Sequence, residues 1–192
     1  MESLVNILNQ ICKRELIDSE TCQIDDTYLL DVSFYQKKDW KFRIFVEFST
    51  LNVDFFTQAL KALNIEEVET YVSSYEDIKY FKNVKSEYKN IVDIFYNIQP
   101  NDNDWNSHNV IGSTIIVTNK KLDFIVVIDE YREIFYFYGN DIFINKMLPT
   151  SFEAYKDYYK GWYEVFEDEP CKIKYFQYLW DTYIGGEASH HK

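Results

Sequence analysis

The sequence predicts an α+β fold: a mainly antiparallel sheet of about five strands with helices packed on it. It reads as one domain over residues 1–184, with a flexible tail at 185–192. Three observations carry this. The hydrophobic period changes from helical to alternating and back again along the chain. Strand-length apolar segments follow one another across short polar turns, without the long crossover helices a parallel sheet needs. Finally, 192 residues suit one domain, and 46% apolar content excludes disorder.

Taken in order, Leu4, Ile7, Leu8, Ile11, Cys12 and Leu16 share one face, which predicts an amphipathic helix of about four turns. The period then becomes two. Tyr28, Leu30, Val32 and Phe34 alternate with Leu29, Asp31, Ser33 and Tyr35, and after Gln36-Lys37-Lys38-Asp39 the residues Trp40, Phe42, Ile44, Val46 and Phe48 alternate with Lys41, Arg43, Phe45 and Glu47. That pattern predicts a β-hairpin over 28–48. Helical faces follow at Phe55, Ala59, Leu60 and Leu63, and at Tyr88, Ile91, Val92 and Phe95 behind a Ser86 cap. Between them, 65–84 reads equally as helix or strand. Pro100, several Asn, Asp102 and Asp104 mark 99–109 as a loop.

Three strands are predicted next, over 110–118, 122–128 and 133–138. The middle one is apolar almost throughout, which suits a central strand covered on both faces. Gly139-Asn140-Asp141 starts a short helix that Pro149 stops. Thr150 and Glu153 have capping-box spacing ahead of a stripe of Phe152, Tyr155, Tyr159, Trp162 and Phe166. Pro170 breaks the chain, and Ile173, Phe176, Leu179 and Tyr183 form a last stripe before Gly185-Gly186.

The chemistry-bearing residues do not assemble into a known reaction. Asp102, Asn103, Asp104 and Asn106 begin like a calcium loop. Ser107 stands where the turn needs Gly, however, and Ser113 where a bidentate Glu belongs. His108 has no nucleophile or orienting acid in view. Asp123 with Glu130 and Arg132 imitates a nuclease motif, except that Arg replaces the Lys that would assist water activation. Cys12 lies on an apolar stripe and Cys171 beside a helix start. No catalytic residue, metal or cofactor is predicted.

Charge is more informative. The chain carries 32 acids against 20 bases, a formal charge of −12, spread evenly over both halves. That disfavours direct nucleic-acid binding, which needs clustered Lys and Arg, and favours a basic protein partner. No apolar run of membrane-spanning length occurs, and the start has no signal-like stretch. Cys12, Cys22 and Cys171 are odd in number and unpaired in spacing, which suits free thiols. These features predict a cytoplasmic location away from membranes.

The segment 151–170 is the most unusual. It interleaves Tyr158, Trp162 and Tyr163 with Asp157, Glu164, Glu167, Asp168 and Glu169. One helical stripe cannot bury all of its aromatics, so Tyr158 and Tyr163 should reach the surface. Aromatic anchors inside an acidic rim suit capture of a basic protein. These eight residues are the predicted partner-binding set.

A small, acidic, aromatic-rich α+β chain of this kind resembles the immunity proteins of bacterial polymorphic-toxin and contact-dependent inhibition systems. Ile111-Gly112-Ser113-Thr114 through Phe135-Tyr136-Phe137-Tyr138, followed by Thr150-Ser151-Phe152-Glu153, is similar to the end of the SUKH immunity superfamily. The resemblance implies non-catalytic neutralisation of a cognate toxin effector domain, such as a nuclease, by occlusion. Two other classes stay open. One is a phage or mobile-element anti-defence protein that mimics nucleic acid or blocks a defence complex. The other is an enzyme of unrecognised class, working through Asp123, Glu130, Arg132 or His108.

Overall fold

The computed structural model describes residues 3–17, 24–46, 53–73, 78–85, 114–129 and 134–185. Ser3 opens helix α1 (Leu4–Ile11), its hydroxyl accepting the Asn6 amide at 3.3 Å. The helix is shorter than predicted. From Cys12 the backbone is extended, and strand β1 (Cys12–Ile17) pairs antiparallel with β2 (Ile24–Leu30), so strand pairing overrides the helical period at Glu15-Leu16.

The predicted hairpin over 28–48 does not form. Asp31 instead caps helix α2 (Val32–Lys37), its carboxylate accepting the Ser33 amide at 2.8 Å. Asp39, read from sequence as part of a hairpin turn, is a left-handed helix stop at φ 52°. Its amide donates to the Gln36 carbonyl at 3.1 Å and the Trp40 amide donates to the Tyr35 carbonyl at 3.1 Å, the Schellman pattern. Only then does strand β3 (Lys41–Val46) begin.

Helix α3 (Val53–Ala62) ends the same way at Asn64, φ 54°. The ambiguous stretch resolves as strands β4 (Glu67–Ser73) and β5 (Ile78–Lys85). The predicted helix at 86–95 and the loop at 99–109 lie outside the described residues. Strands β6 (Thr114–Thr118), β7 (Phe124–Asp129) and β8 (Ile134–Gly139) follow where the sequence predicts three strands. Asn140 caps helix α4 (Asp141–Met147), accepting the Phe143 amide at 2.9 Å. Gly139 has a steric reason: a Cβ there would lie 2.6 Å from the Phe143 ring.

Helix α5 (Phe152–Val165) is capped by Ser151 rather than Thr150, one residue later than the capping-box spacing indicates. Helix α6 (Pro170–Leu179) carries Pro at its first turn and continues into a π-helical turn, Trp180–Ile184.

The main sheet has six strands, ordered β3-β8-β7-β6-β4-β5, and every pairing is antiparallel. The fold is α+β, with a core on each face of the sheet. Phe42, Ile44, Ile116, Ile125, Val127, Tyr136 and Tyr138 point to one core, which α1, α2, α5, α6 and the π turn complete. The residues between them, Ile115, Val117, Phe124, Val126, Ile128, Phe135 and Phe137, point to the other, closed by α3 and α4. Central β7 is buried from Phe124 to Ile128, as its unbroken apolar run predicts.

Among the described residues, the buried tyrosines all lie in the first of these cores, where their hydroxyls are bonded. The Leu30 amide donates to the Tyr138 hydroxyl at 3.3 Å, and the Tyr183 hydroxyl donates to the Leu30 carbonyl at 3.1 Å. The Tyr159 hydroxyl donates to the Phe176 carbonyl at 2.6 Å, and the hydroxyls of Tyr136 and Tyr175 lie 2.7 Å apart. Each phenol satisfies a group that burial would otherwise strand.

Candidate functional site

Helix α5 runs along the edge strand β3, and its sequence divides it into two faces. Tyr155, Tyr159 and Trp162 form the buried one. The Tyr155 hydroxyl accepts the Ile44 amide at 2.9 Å and donates to the Ile44 carbonyl at 3.2 Å, so one phenol closes the free edge of the sheet at that residue. Beside it the Arg43 guanidinium lies over the rings of Phe152 and Tyr155 at 5.1 and 5.0 Å, and donates to the Phe42 carbonyl at 2.6 Å.

The other face is exposed and holds part of the predicted set. Asp157, Tyr158 and Glu164 lie together on it, alongside Glu153. Tyr158 is 39% exposed and anchored from below, its ring 4.9 Å from Trp162 and 5.6 Å from Phe45. Glu167, Asp168 and Glu169 are exposed in the turn that leads into α6, and Lys172 pairs with Glu169 at 2.9 Å.

Two predicted residues sit elsewhere. Trp162 is only 7% exposed and packs on Phe176 and Tyr159, so it supports the surface from within instead of meeting a partner. Tyr163 is half-buried on the α6 side, its hydroxyl donating to Gln177 Oε1 at 3.3 Å. Burial, with the Asp181 carboxylate nearby, raises its phenol above the ordinary value.

Three residues of the face were not singled out in the sequence. Ala154, Gly161 and Val165 line up with Tyr158 at spacings of four, three and four, and Val165 is 71% exposed. That spacing was the available signal. The conspicuous aromatics and acids around it drew attention away from small and aliphatic residues.

Electrostatically, the end of α5 is uncompensated. No basic residue lies in its last turn, where the helix carbonyls already carry partial negative charge, while Glu164 sits there and Glu167 and Asp168 follow. A cation from outside would be favoured at that position.

Reactive groups elsewhere are tied into the fold. Asn119 Nδ2 donates to Asp123 at 2.8 Å and the Asp123 amide donates back to Asn119 Oδ1 at 2.9 Å, closing the β6–β7 turn. Lys38 Nζ donates to the Leu122 carbonyl and lies 4.7 Å from the Trp40 ring; burial lowers its pKa, with Asp123 opposing. Burial pushes the Cys12 thiol up to about 12. Among the described residues, no group of three His, Cys, Asp or Glu is placed to hold a metal. His108, Glu130 and Arg132, and the calcium-like loop, lie outside the described residues.

One cysteine departs from the expected free thiols. Cys12 is free, but Cys171 is disulfide-bonded, and Cys22 lies outside the described residues. Odd number and irregular spacing do not exclude a single bridge, so the thiol count no longer argues for a reducing compartment. Among the described residues, no helix is long and apolar enough to cross a membrane.

No known protein family, curated protein or solved structure matches this chain.

Proposed function

We propose that the protein is a non-catalytic inhibitor that binds a basic protein partner, in the manner of an immunity protein neutralising a toxin domain. The observation that carries this reading is the exposed face of α5 and the turn after it. There Tyr158 stands on an aromatic base beside Asp157 and Glu164, with Glu167, Asp168 and Glu169 beyond.

Such a surface suits capture. Tyr158 offers contact area at little conformational cost, because Phe45 and Trp162 already hold its ring. The acids and the helix end steer a cationic partner, and they can stand in for phosphates at a basic cleft. The formal charge of −12 acts in the same direction at longer range.

The test uses a partner captured from the native host and purified. Glu167→Lys with Asp168→Lys should slow association severalfold and flatten its salt dependence, with little effect on melting because both side chains are exposed. Unchanged association kinetics would reject this surface as the docking site. A partner toxin domain that stays fully active in the saturated complex would reject neutralisation.

A further inference from the structure

We infer that the exposed face of α5 receives an amphipathic α-helix of the partner, one with an apolar stripe at three-and-four spacing and Lys or Arg along one flank. This rests on the protein-binding reading above and goes beyond it by naming the element the partner presents.

The first observation is geometric. At about 100° per residue, Ala154, Tyr158, Gly161 and Val165 fall on a single line down the helix. Tyr158 is 39% exposed and Val165 71% exposed, so large apolar groups point into solvent where a soluble helix ordinarily places charge. The spacing is that of a seam between two helices.

The second observation is Gly161. Gly139 and Gly185 are each constrained within the chain, since a Cβ would approach Phe143 to 2.6 Å and Trp180 to 3.0 Å. At Gly161 a Cβ would meet nothing within 4 Å, and its φ is not in the left-handed region. Nothing inside the described fold accounts for Gly there, although Gly in a helix interior costs about 1 kcal/mol relative to Ala. An external helix does account for it. Axes of packed helices lie roughly 8–10 Å apart depending on the side chains at the contact, and small residues at the crossing allow the closest approach; Ala154 and Gly161 provide them two turns apart.

The third observation is the charge beside the stripe. Glu153, Asp157 and Glu164 run down one flank, and the last turn of α5 has no basic residue. Glu153 is paired with Lys156 at 4.0 Å, so a docked helix with cations on the matching side would meet Asp157, Glu164 and the negative helix end. A second copy of this chain is disfavoured as occupant, because it would bring another acidic flank and another charge of −12 to the same seam.

The experiment titrates the full-length, isotope-labelled protein with a synthetic Leu/Lys peptide of helical period, following backbone amide shifts. An isomer with the same composition in scrambled order is the control. The periodic peptide should shift amides over 153–165 and bind roughly tenfold tighter than the isomer. Gly161→Gln should weaken it by about tenfold while leaving the melting temperature unchanged or higher, since a longer side chain enters open space. Equal binding of both peptides at the acidic turn would overturn the helix while leaving the basic-partner reading intact. Binding of neither would overturn both. Shifts confined to another surface, or self-association of the free protein through 153–165, would also overturn the proposed occupant.

Discussion

Tyr155→Phe removes one oxygen and should be among the most costly conservative changes in the chain. Its hydroxyl accepts from the Ile44 amide at 2.9 Å and donates to the Ile44 carbonyl at 3.2 Å; Tyr155 is 2% exposed and Ile44 fully buried. Phe keeps the ring and therefore the packing on Phe45 and Tyr159. What changes is that an N–H and a C=O lose their partner in a buried place, at about 1–3 kcal/mol each. Allowing for partial relief by an entering water, the expected loss is about 2–4 kcal/mol. For a chain of this size that corresponds to roughly 5–15 °C in melting temperature. Tyr163→Phe is the comparison, because among the described residues its hydroxyl bonds the exposed Gln177, and it should cost about 0.5 kcal/mol. The assay is urea unfolding of both variants together with hydrogen exchange at the Ile44 amide. Exchange there should accelerate strongly in Tyr155→Phe alone. If that variant melts within about 2 °C of the parent and the Ile44 amide keeps its protection, the phenol is not what closes the sheet edge.

Four other outcomes follow. Thr70 Oγ1 is buried without a hydrogen-bond partner among the described residues, so Thr70→Val should stabilise by about 1 kcal/mol in urea unfolding; destabilisation would show a missed partner. Burial, with Tyr183 beside Tyr138 and Tyr155 beside Tyr159, holds both phenols well above their ordinary value. The native state therefore keeps protons that the unfolded chain releases near pH 10. Stability is full below that pH and falls above it, and a urea midpoint at pH ~10.5 no lower than at pH ~8.5 would contradict the burial of these groups. Finally, the Cys12 thiol, pushed up to about 12, should resist alkylation at neutral pH in the folded protein. Mass mapping without reductant should find Cys171 in a disulfide, and its recovery as an alkylated thiol would refute that bond.

The sheet was legible where burial alone decided the pattern. Strand β7 is apolar because it faces a core on both sides, and the apolar residues of α3 and α4 repeat at the period of the face they bury. The region 28–48 misled because Val32 and Phe34 fit an alternating pattern as well as a short helix. What decides between them is two local bonding patterns: Asp31 capping Ser33, and Asp39 adopting a left-handed stop. Asp at such a stop lacks the signal that Gly gives. Helix α1 was predicted too long for the opposite reason, because the β1–β2 pairing that shortens it is not local to its own period.

The candidate site was legible as a segment but not as a face. Aromatic and acidic density marks 151–170, yet density cannot say that Trp162 faces inward with Tyr155 and Tyr159 while Tyr158 faces outward. Tyr163 was expected near the surface and does reach it partway, but it points toward α6 and is bonded there. The residues that make the outward face continuous are Ala154, Gly161 and Val165, and composition gives no hint of them.

The central claim is that this protein acts by docking a basic partner on the outer side of α5. Its most direct test is hydrogen exchange of the full-length protein, free and saturated with the purified host partner. The account predicts slowed exchange concentrated in residues 153–169, and a severalfold higher partner concentration to reach that protection when Glu167 and Asp168 are reversed to Lys. Protection confined to the opposite helical layer, at α3 and α4, with 153–169 exchanging as in the free protein, would contradict it.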